Sequence, residues 1–357
     1  MPLTSSAPLW PVQPEVTRIL VWPADDGACG HLRLFWPAQL ANAVGADVRV
    51  LEGDLPVVRG PGGRIREVPV DCDVLVLQRP SGEVMLEVIR AVQAQGVKVV
   101  VDMDDDLERV DRANVAWGSV HPLSSPTANW RHAKAACAAA DLVTVTTPQL
   151  ATRYGKRTVV IPNCLPAGFC GRPRGTGMTV GWPGLAGTHP NDLQVTRGNV
   201  AGVVAATPGA SFLQVGPGDA AGPLGFKARS DATVSPLFSS TGMLDLTGYF
   251  AALSRIDVTI VPLADTAFNL SKSGLKAIEA AGSGSVPVMS PTPDNLRLHE
   301  EGLGLIARRP RDWHRHLKRL LLDLDYRQEL AAAGSEVAAR WTIEGNVHRW
   351  LDAWTSA

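Results

Sequence analysis

Residues 257–263, DVTIVPL, form an apolar run that leads through a turn into AFNLSKSGLKAIEAAGSGSVPVMS at 267–290. A buried strand, a short helix, a glycine turn and a second apolar strand make a βαβ crossover. Such a unit commits the chain to an open α/β sheet with helices on its faces, because parallel strands can be joined in no shorter way. Within the unit, Ser271 and Ser273 both suit an N-cap, and Gly282 or Gly284 can supply the left-handed stop. Leu275 and Ile278 point one way, while Lys272, Lys276 and Glu279 recur at i, i+4, i+7 on a common side. A helix N-terminus with free amides, two serine hydroxyls and a lysine suits a phosphate or diphosphate. Glu279, two turns further in, is placed to accept hydrogen bonds from sugar hydroxyls. The alternative is a solvated helix with an ordinary charged face.

The same strand–glycine loop–helix order recurs along the chain. Arg18–Trp22 is an apolar strand, followed by a loop bearing Gly27 and Gly30 and a helix expected over Leu34–Val44. This βα unit is of Rossmann type but lacks GxGxxG, so a tight turn and a ligand loop both remain open, with Arg33 a candidate for the cleft. Asp47–Leu51 and Asp73–Gln78 are further strands, and Lys98–Val101 ends at Asp102-Met-Asp104-Asp105-Asp106. Carboxylates at the end of a parallel strand sit where open α/β sheets place ligands. A solvated capping loop, a metal site and a cleft role for Asp104 and Asp105 compete there; the metal reading needs converging ligands that a run alone does not supply. The long loop Asn114–Thr127 carries Trp117 and His121. Ala167–Gly177 is rich in Gly and Arg, as a hinge would be. A second unit then opens with Thr179–Trp182, the loop bearing Gly187, Thr188 and His189, and a helix expected from Asn191.

Composition narrows the function classes. The 357 residues suffice for two domains, and 34 basic against 35 acidic residues give a net charge of −1, without a field to capture nucleic acid or an anionic membrane. Nucleic acid is not indicated, although Arg308, Arg309, Arg311, Arg315, Lys318 and Arg319 with His314 and His316 form a local basic cluster diluted by Asp312, Asp323 and Asp325. Five scattered cysteines lack CxxC spacing, so neither a disulfide framework nor a zinc site is expected, which fits a reducing cytoplasm. The start, MPLTSSAPLWPVQPEV, has no basic-then-apolar signal, and no segment reaches membrane-span length.

FNLSKSGLKAIEAAGSGSVPVMS resembles the donor-binding segment of GT-B glycosyltransferases, in the large retaining group 1 family whose helix carries two glutamates eight positions apart. The second glutamate matches Glu279; the first falls on Ser271, as in a subgroup reading Phe-Asn, Lys-Ser, Leu-Lys, Glu. The resemblance implies that Glu279 holds the nucleotide ribose and leaves the donor-sugar contact unassigned. ADLVTVTTPQLATRYGKRTVVIPNCLP is similar to the end of the first GT-B domain, with VVIPNCLP as last strand and linker. The Asp-Asp-Asp-Leu stretch also has counterparts in this subgroup, and a histidine from the region of His121 meets the donor sugar in related enzymes. Most relatives place Arg and Lys soon after the second glycine loop to neutralise the donor diphosphate. This chain has neither until Arg197, so that charge is assigned to Lys272, with one hydrogen bond from His189.

The expected fold is therefore α/β, with two facing Rossmann-like domains: 1–165 on the acceptor side, 166–340 on the donor side, and 341–357 a helix crossing back. The expected function is transfer of a sugar from a nucleotide-activated donor to an unidentified acceptor, with retention. Lys272 and Glu279 are the expected catalytic residues, and Gly187, Thr188, His189, Ser271, Ser273 and Lys276 the donor-binding ones. Gly30, Arg33, Asp104, Asp105 and His121 are expected as cleft or acceptor residues, and no cofactor or essential metal is expected. Two rivals stand: a catalytically silent glycosyltransferase-like binding protein, kept alive by Ser271, and a nicotinamide-dependent oxidoreductase, disfavoured by the absent fingerprint.

Overall fold

The structure is a computed structural model that describes residues 16–155, 157–172, 175–227 and 233–357; most of the proline-rich lead-in and part of the hinge stretch lie outside the described residues. Two six-stranded sheets, parallel throughout, form the frame. The first contains β1 (Arg18–Trp22), β2 (Asp47–Val50), β3 (Val74–Gln78), β4 (Lys98–Met103), β5 (Leu142–Val145) and β6 (Thr158–Val160), in the order 2-1-3-4-5-6. The second contains β7 (Thr179–Pro183), β8 (Ser211–Val215), β9 (Phe238–Ser240), β10 (Val258–Val261), β11 (Val286–Met289) and β12 (Leu305–Ile306), in the order 9-8-7-10-11-12. Strands buried on both faces need continuous apolar sequence, which VLVLQ and VTIV supply.

Each sheet reverses its strand order once, and an open α/β sheet binds ligands outside the strand ends at that reversal. In the first sheet the reversal lies between β1 and β3, where Pro23–Gly30 and Arg79 emerge. In the second it lies between β7 and β10, where the Gly187 loop and the Lys272 segment emerge. The two reversal points are therefore the parts of the frame that position a site.

The halves are tied together by two crossings. Leu165 leaves the first sheet beside Thr342, with its amide donating to Trp341 O at 2.9 Å and its carbonyl accepting from Ile343 at 2.8 Å. The final helix, Ile343–Thr355, packs back on the helix Trp36–Ala43. Trp350 and Trp354 are fully buried there with Ile19, Val21 and Leu34, and Trp350 Nε1 donates to Arg33 O at 3.0 Å. An aromatic contact completes the seam: Phe250 stacks on Phe169 at 3.8 Å, with Trp36 beside both.

Two local expectations need correction, and one strand appears where none is expected. The helix after β1 is reached through a π-helical turn, His31–Phe35. The helix expected from Asn191 is a 3₁₀ turn, Leu193–Thr196, followed by Asn199–Ala206. The unexpected strand is β9, at the edge of the second sheet. Among the described residues no helix is long and apolar enough to cross a membrane.

Candidate functional site

The Lys272 segment departs from the expected start of its helix. Asn269–Ser271 is a 3₁₀ turn, Lys272 is extended, and the helix runs Leu275–Gly282 with Gly274 at its N-cap. Neither Ser271 nor Ser273 caps it. Asp294 does so from a neighbouring helix, accepting from the Gly274 amide at 2.6 Å. A Cβ at 274 would lie 2.3 Å from Leu298 Cδ1, so a larger residue here would force that buried side chain to shift. Ser271 O instead accepts from Thr147 Oγ1 at 2.9 Å, and Ser273 Oγ from Asn163 Nδ2 at 2.8 Å, so both serines bind the first half of the chain. The amides of Ser273, Leu275 and Lys276 meet no protein acceptor among the described residues. Unpaired amides at a helix start can take an anion.

Charge gathers at the same place. Lys272 Nζ sits 4.5 Å from the centroid of Phe268 and 3.6 Å from Asp105 Oδ1 across the cleft. Lys276 is half-buried and makes no ion pair among the described residues; burial, reinforced by Lys272, holds its pKa below the usual lysine value against the pull of Glu279. Glu279 is 4% exposed and accepts from Tyr249 OH at 2.7 Å. Burial raises the pKa of its carboxyl, while Lys276 and the Tyr249 hydroxyl oppose that shift.

His189 is buried edge-on to Trp182, with Nδ1 2.6 Å from Asp192 Oδ2. A carboxylate only accepts, so Nδ1 carries the proton and Nε2 is an acceptor; the expected hydrogen bond from His189 to a diphosphate is therefore corrected, because this nitrogen can only accept, as from a sugar hydroxyl. Burial, with Lys276 and Lys272, depresses the His189 pKa to about 4 against the pull of Asp192. Asp192 is in turn fixed by the Ala264 amide at 2.8 Å and Asn269 Nδ2 at 2.6 Å. The loop before it offers fewer free amides than expected, because those of Ala186, Thr188 and His189 bond to Pro217, Leu185 and Ala186 carbonyls. Its carbonyls are also in use: Gly187 O accepts from the Val115 amide at 3.0 Å and Thr188 O from Asn114 Nδ2 at 2.8 Å. A Cβ on residue 187 would lie 2.8 Å from Val115 Cγ1, so glycine permits this approach of the two halves. His121 lies on the same loop as Val115, stacked on Trp117 at 4.3 Å.

The members of the acidic run, of which only Asp102 lies within the strand Lys98–Met103, have different partners. Asp102 points inward and pairs with Arg33, whose Nε and Nη2 donate at 3.1 and 2.7 Å. Arg33 also donates to Ile161 O at 2.6 Å and is 1% exposed. The expectation that Arg33 opens onto the cleft is therefore corrected: its donors are satisfied inside the first domain. Asp106 is likewise internal, held by Arg153 Nε at 2.8 Å. Asp104 pairs with Arg79 Nε at 3.3 Å, and Arg79, at a left-handed φ of 45°, also grips Asp25. Burial opposes ionisation of Asp104, but Arg79, Cys29 and Arg33 outweigh it and hold its pKa low. Asp105 alone of the run turns an open side chain, 34% exposed, to the opposite half. Gly30 is buried behind this group, its amide 3.3 Å from Asp25 Oδ1. Among the described residues no three His, Cys, Asp or Glu side chains converge as a metal site.

Lys272, Lys276, Glu279 and His189 thus share one wall of a cleft, and Asp104, Asp105 and Arg79 face them. Sequence reasoning missed Tyr249, Asp192 and Asn269. Asp192 had a local signal, three residues after His189; the other two meet their partners only through the fold. Chemically, the first wall can take an anion on Lys272 and free amides and a diol on Glu279, while the second presents an open carboxylate.

No family model and no curated protein sequence matches the chain. Solved structures do match it in shape. Sucrose-phosphate synthase from Thermosynechococcus elongatus superimposes with a TM-score of 0.65 at 15% identity, covering 95% of this chain and 98% of that one. Anabaena HepE, solved in complex with UDP-glucose, gives 0.65 at 12% identity over 96% of this chain and 100% of its own. The pneumococcal O-GlcNAc transferase GtfA, in complex with UDP and GlcNAc, gives 0.54 at 13% identity over 79% of this chain and 56% of that one. At such identities likeness carries the fold, and the chain has the paired Rossmann-like architecture of the GT-B glycosyltransferases.

Proposed function

We propose that the chain is a glycosyltransferase that moves a sugar from a nucleotide-activated donor to a hydroxyl-bearing acceptor. The observation that carries this reading is the juxtaposition of Lys272, three free helix-start amides and the buried Glu279–Tyr249 pair at the reversal point of the second sheet. In this reading the donor diphosphate lies against Lys272 and the amides of Ser273, Leu275 and Lys276, with Lys276 adding charge. Glu279 accepts the ribose hydroxyls, and Tyr249 fixes its orientation. His189 Nε2 faces the donor, held by Asp192. Stabilising the departing negative charge supplies most of the acceleration at a site of this kind.

The acceptor occupies the side of Asp104, Asp105 and His121, the anomeric configuration is retained, no metal is required, and the protein works in the cytoplasm. HepE and GtfA, solved with UDP-glucose or with UDP and GlcNAc, support the choice of a nucleotide-sugar donor. A thermal-shift screen of nucleotide sugars, nucleoside diphosphates and NAD tests the reading. Stabilisation by a nucleotide sugar and its diphosphate is expected; stabilisation by NAD alone overturns it in favour of an oxidoreductase. Product NMR of the transferred anomer tests retention.

A further inference from the structure

The cleft is bridged by the ion pair between Lys272 and Asp105, and this pair stands in the way of the donor position proposed above. Both partners have fixed backbones. Ser271 O is held by Thr147 and the Lys272 amide by Asn269 O at 3.1 Å, while Asp105 O accepts from Tyr154 OH at 2.6 Å and Asp104 O from Thr146 Oγ1 at 3.3 Å. Only the two side chains are free to exchange partners, and they are 21% and 34% exposed.

We propose that Asp105 is the carboxylate that binds the acceptor's nucleophilic hydroxyl, masked by Lys272 in the empty protein and released when a nucleoside diphosphate takes the lysine. The inference rests on the donor reading of Lys272. A partly exposed single pair is weak, whereas a diphosphate offers the same ammonium several charged oxygens with helix-start amides beside it. Once Lys272 turns to the donor, Asp105 loses its ion-pair partner next to the bond that breaks. The other acids of the run are matched: Asp102 by Arg33, Asp104 by Arg79 and Asp106 by Arg153. A hydroxyl donating to Asp105 restores its partner, so donor binds first and acceptor second.

The test is calorimetric titration of wild type, Asp105→Asn, Lys272→Ala and the double variant with UDP, GDP and ADP, carrying the tightest forward. Nucleotide-sugar hydrolysis follows, with water as the acceptor. Asp105→Asn should tighten diphosphate binding by about two- to fivefold, the value of a partly exposed pair. No tightening should occur in the Lys272→Ala background. KM for the nucleotide sugar and kcat should both fall, tighter binding with slower turnover, a combination that a merely structural role does not produce. Unchanged or weaker binding, equal tightening in both backgrounds, or an unchanged kcat overturns the proposal. Failure of the donor reading looks different: wild type binds none of the diphosphates, or Lys272→Ala binds them as well as wild type, and the proposal falls with it.

Discussion

Glu279→Gln is the perturbation that best separates a ribose contact from general damage to the helix. Glu279 is 4% exposed and already accepts one hydrogen bond, from Tyr249 OH at 2.7 Å, which glutamine can still accept through Oε1. The substitution therefore preserves shape and the Tyr249 contact while replacing the other acceptor oxygen by a donor, leaving one ribose hydroxyl without its partner. A hydrogen bond to a charged group is worth about 1.5–3 kcal/mol, so ribonucleotide affinity should fall by roughly ten- to 150-fold. A 2′-deoxynucleotide should bind wild type poorly and lose much less on mutation, a double-mutant cycle between protein and ligand. Because burial raises the Glu279 pKa, wild-type ribonucleotide binding should also weaken as pH falls into the range where that carboxyl protonates. Calorimetry with UDP and 2′-deoxy-UDP, or the corresponding pair of whichever base binds, decides it. Equal losses for the two ligands would refute the contact and return the helix face to an ordinary charged surface.

Other perturbations follow from the same geometry. Arg33→Met strands the buried Asp102 carboxylate and should cost about 3–5 kcal/mol in urea unfolding; lost turnover with stability intact would instead put Arg33 at the acceptor. Folding lowers the His189 pKa from 6.5 to about 4, so the folded state binds fewer protons and stability should decline as pH falls through that window. Between pH 7 and pH 4.5 the decline should be about 2–3 kcal/mol, and His189→Gln, which keeps an N–H for Asp192, should flatten it; the same decline in both proteins would count against the assignment. Chelation by EDTA should leave turnover intact, since three acids of the run face arginines and the fourth faces Lys272; activity lost to EDTA and restored by Mn²⁺ or Mg²⁺ would contradict this.

The frame was legible wherever apolar runs met glycine turns. Arg18–Trp22 falls at its expected bounds because a run of buried apolar residues leaves no ambiguity of period. The edge strand β9 has only three residues and little apolar character, and escaped notice for that reason. The helix start at Gly274 was misplaced because its cap comes from Asp294, twenty residues on, whereas local pattern favours the nearer serines. Within the acidic run, sequence could not separate Asp102 and Asp106 from Asp104 and Asp105. Their roles are set by Arg33, Arg79, Arg153 and Lys272, which arrive from four different elements. Tyr249 and Glu279, thirty positions apart, meet only once the two crossovers are folded.

The central claim is that a nucleotide-activated sugar reacts in this cleft with its diphosphate on Lys272. The direct measurement is release of nucleoside diphosphate from a panel of nucleotide sugars by wild type and Lys272→Ala, with binding of the diphosphate and of the bare nucleoside measured in parallel. Wild type should turn over at least one donor. Lys272→Ala should lose most of that turnover and bind the diphosphate about tenfold or more weakly, the value of a charge-assisted contact, while nucleoside affinity is unchanged. Turnover of no nucleotide sugar, or equal diphosphate affinity in the two proteins, would contradict the account.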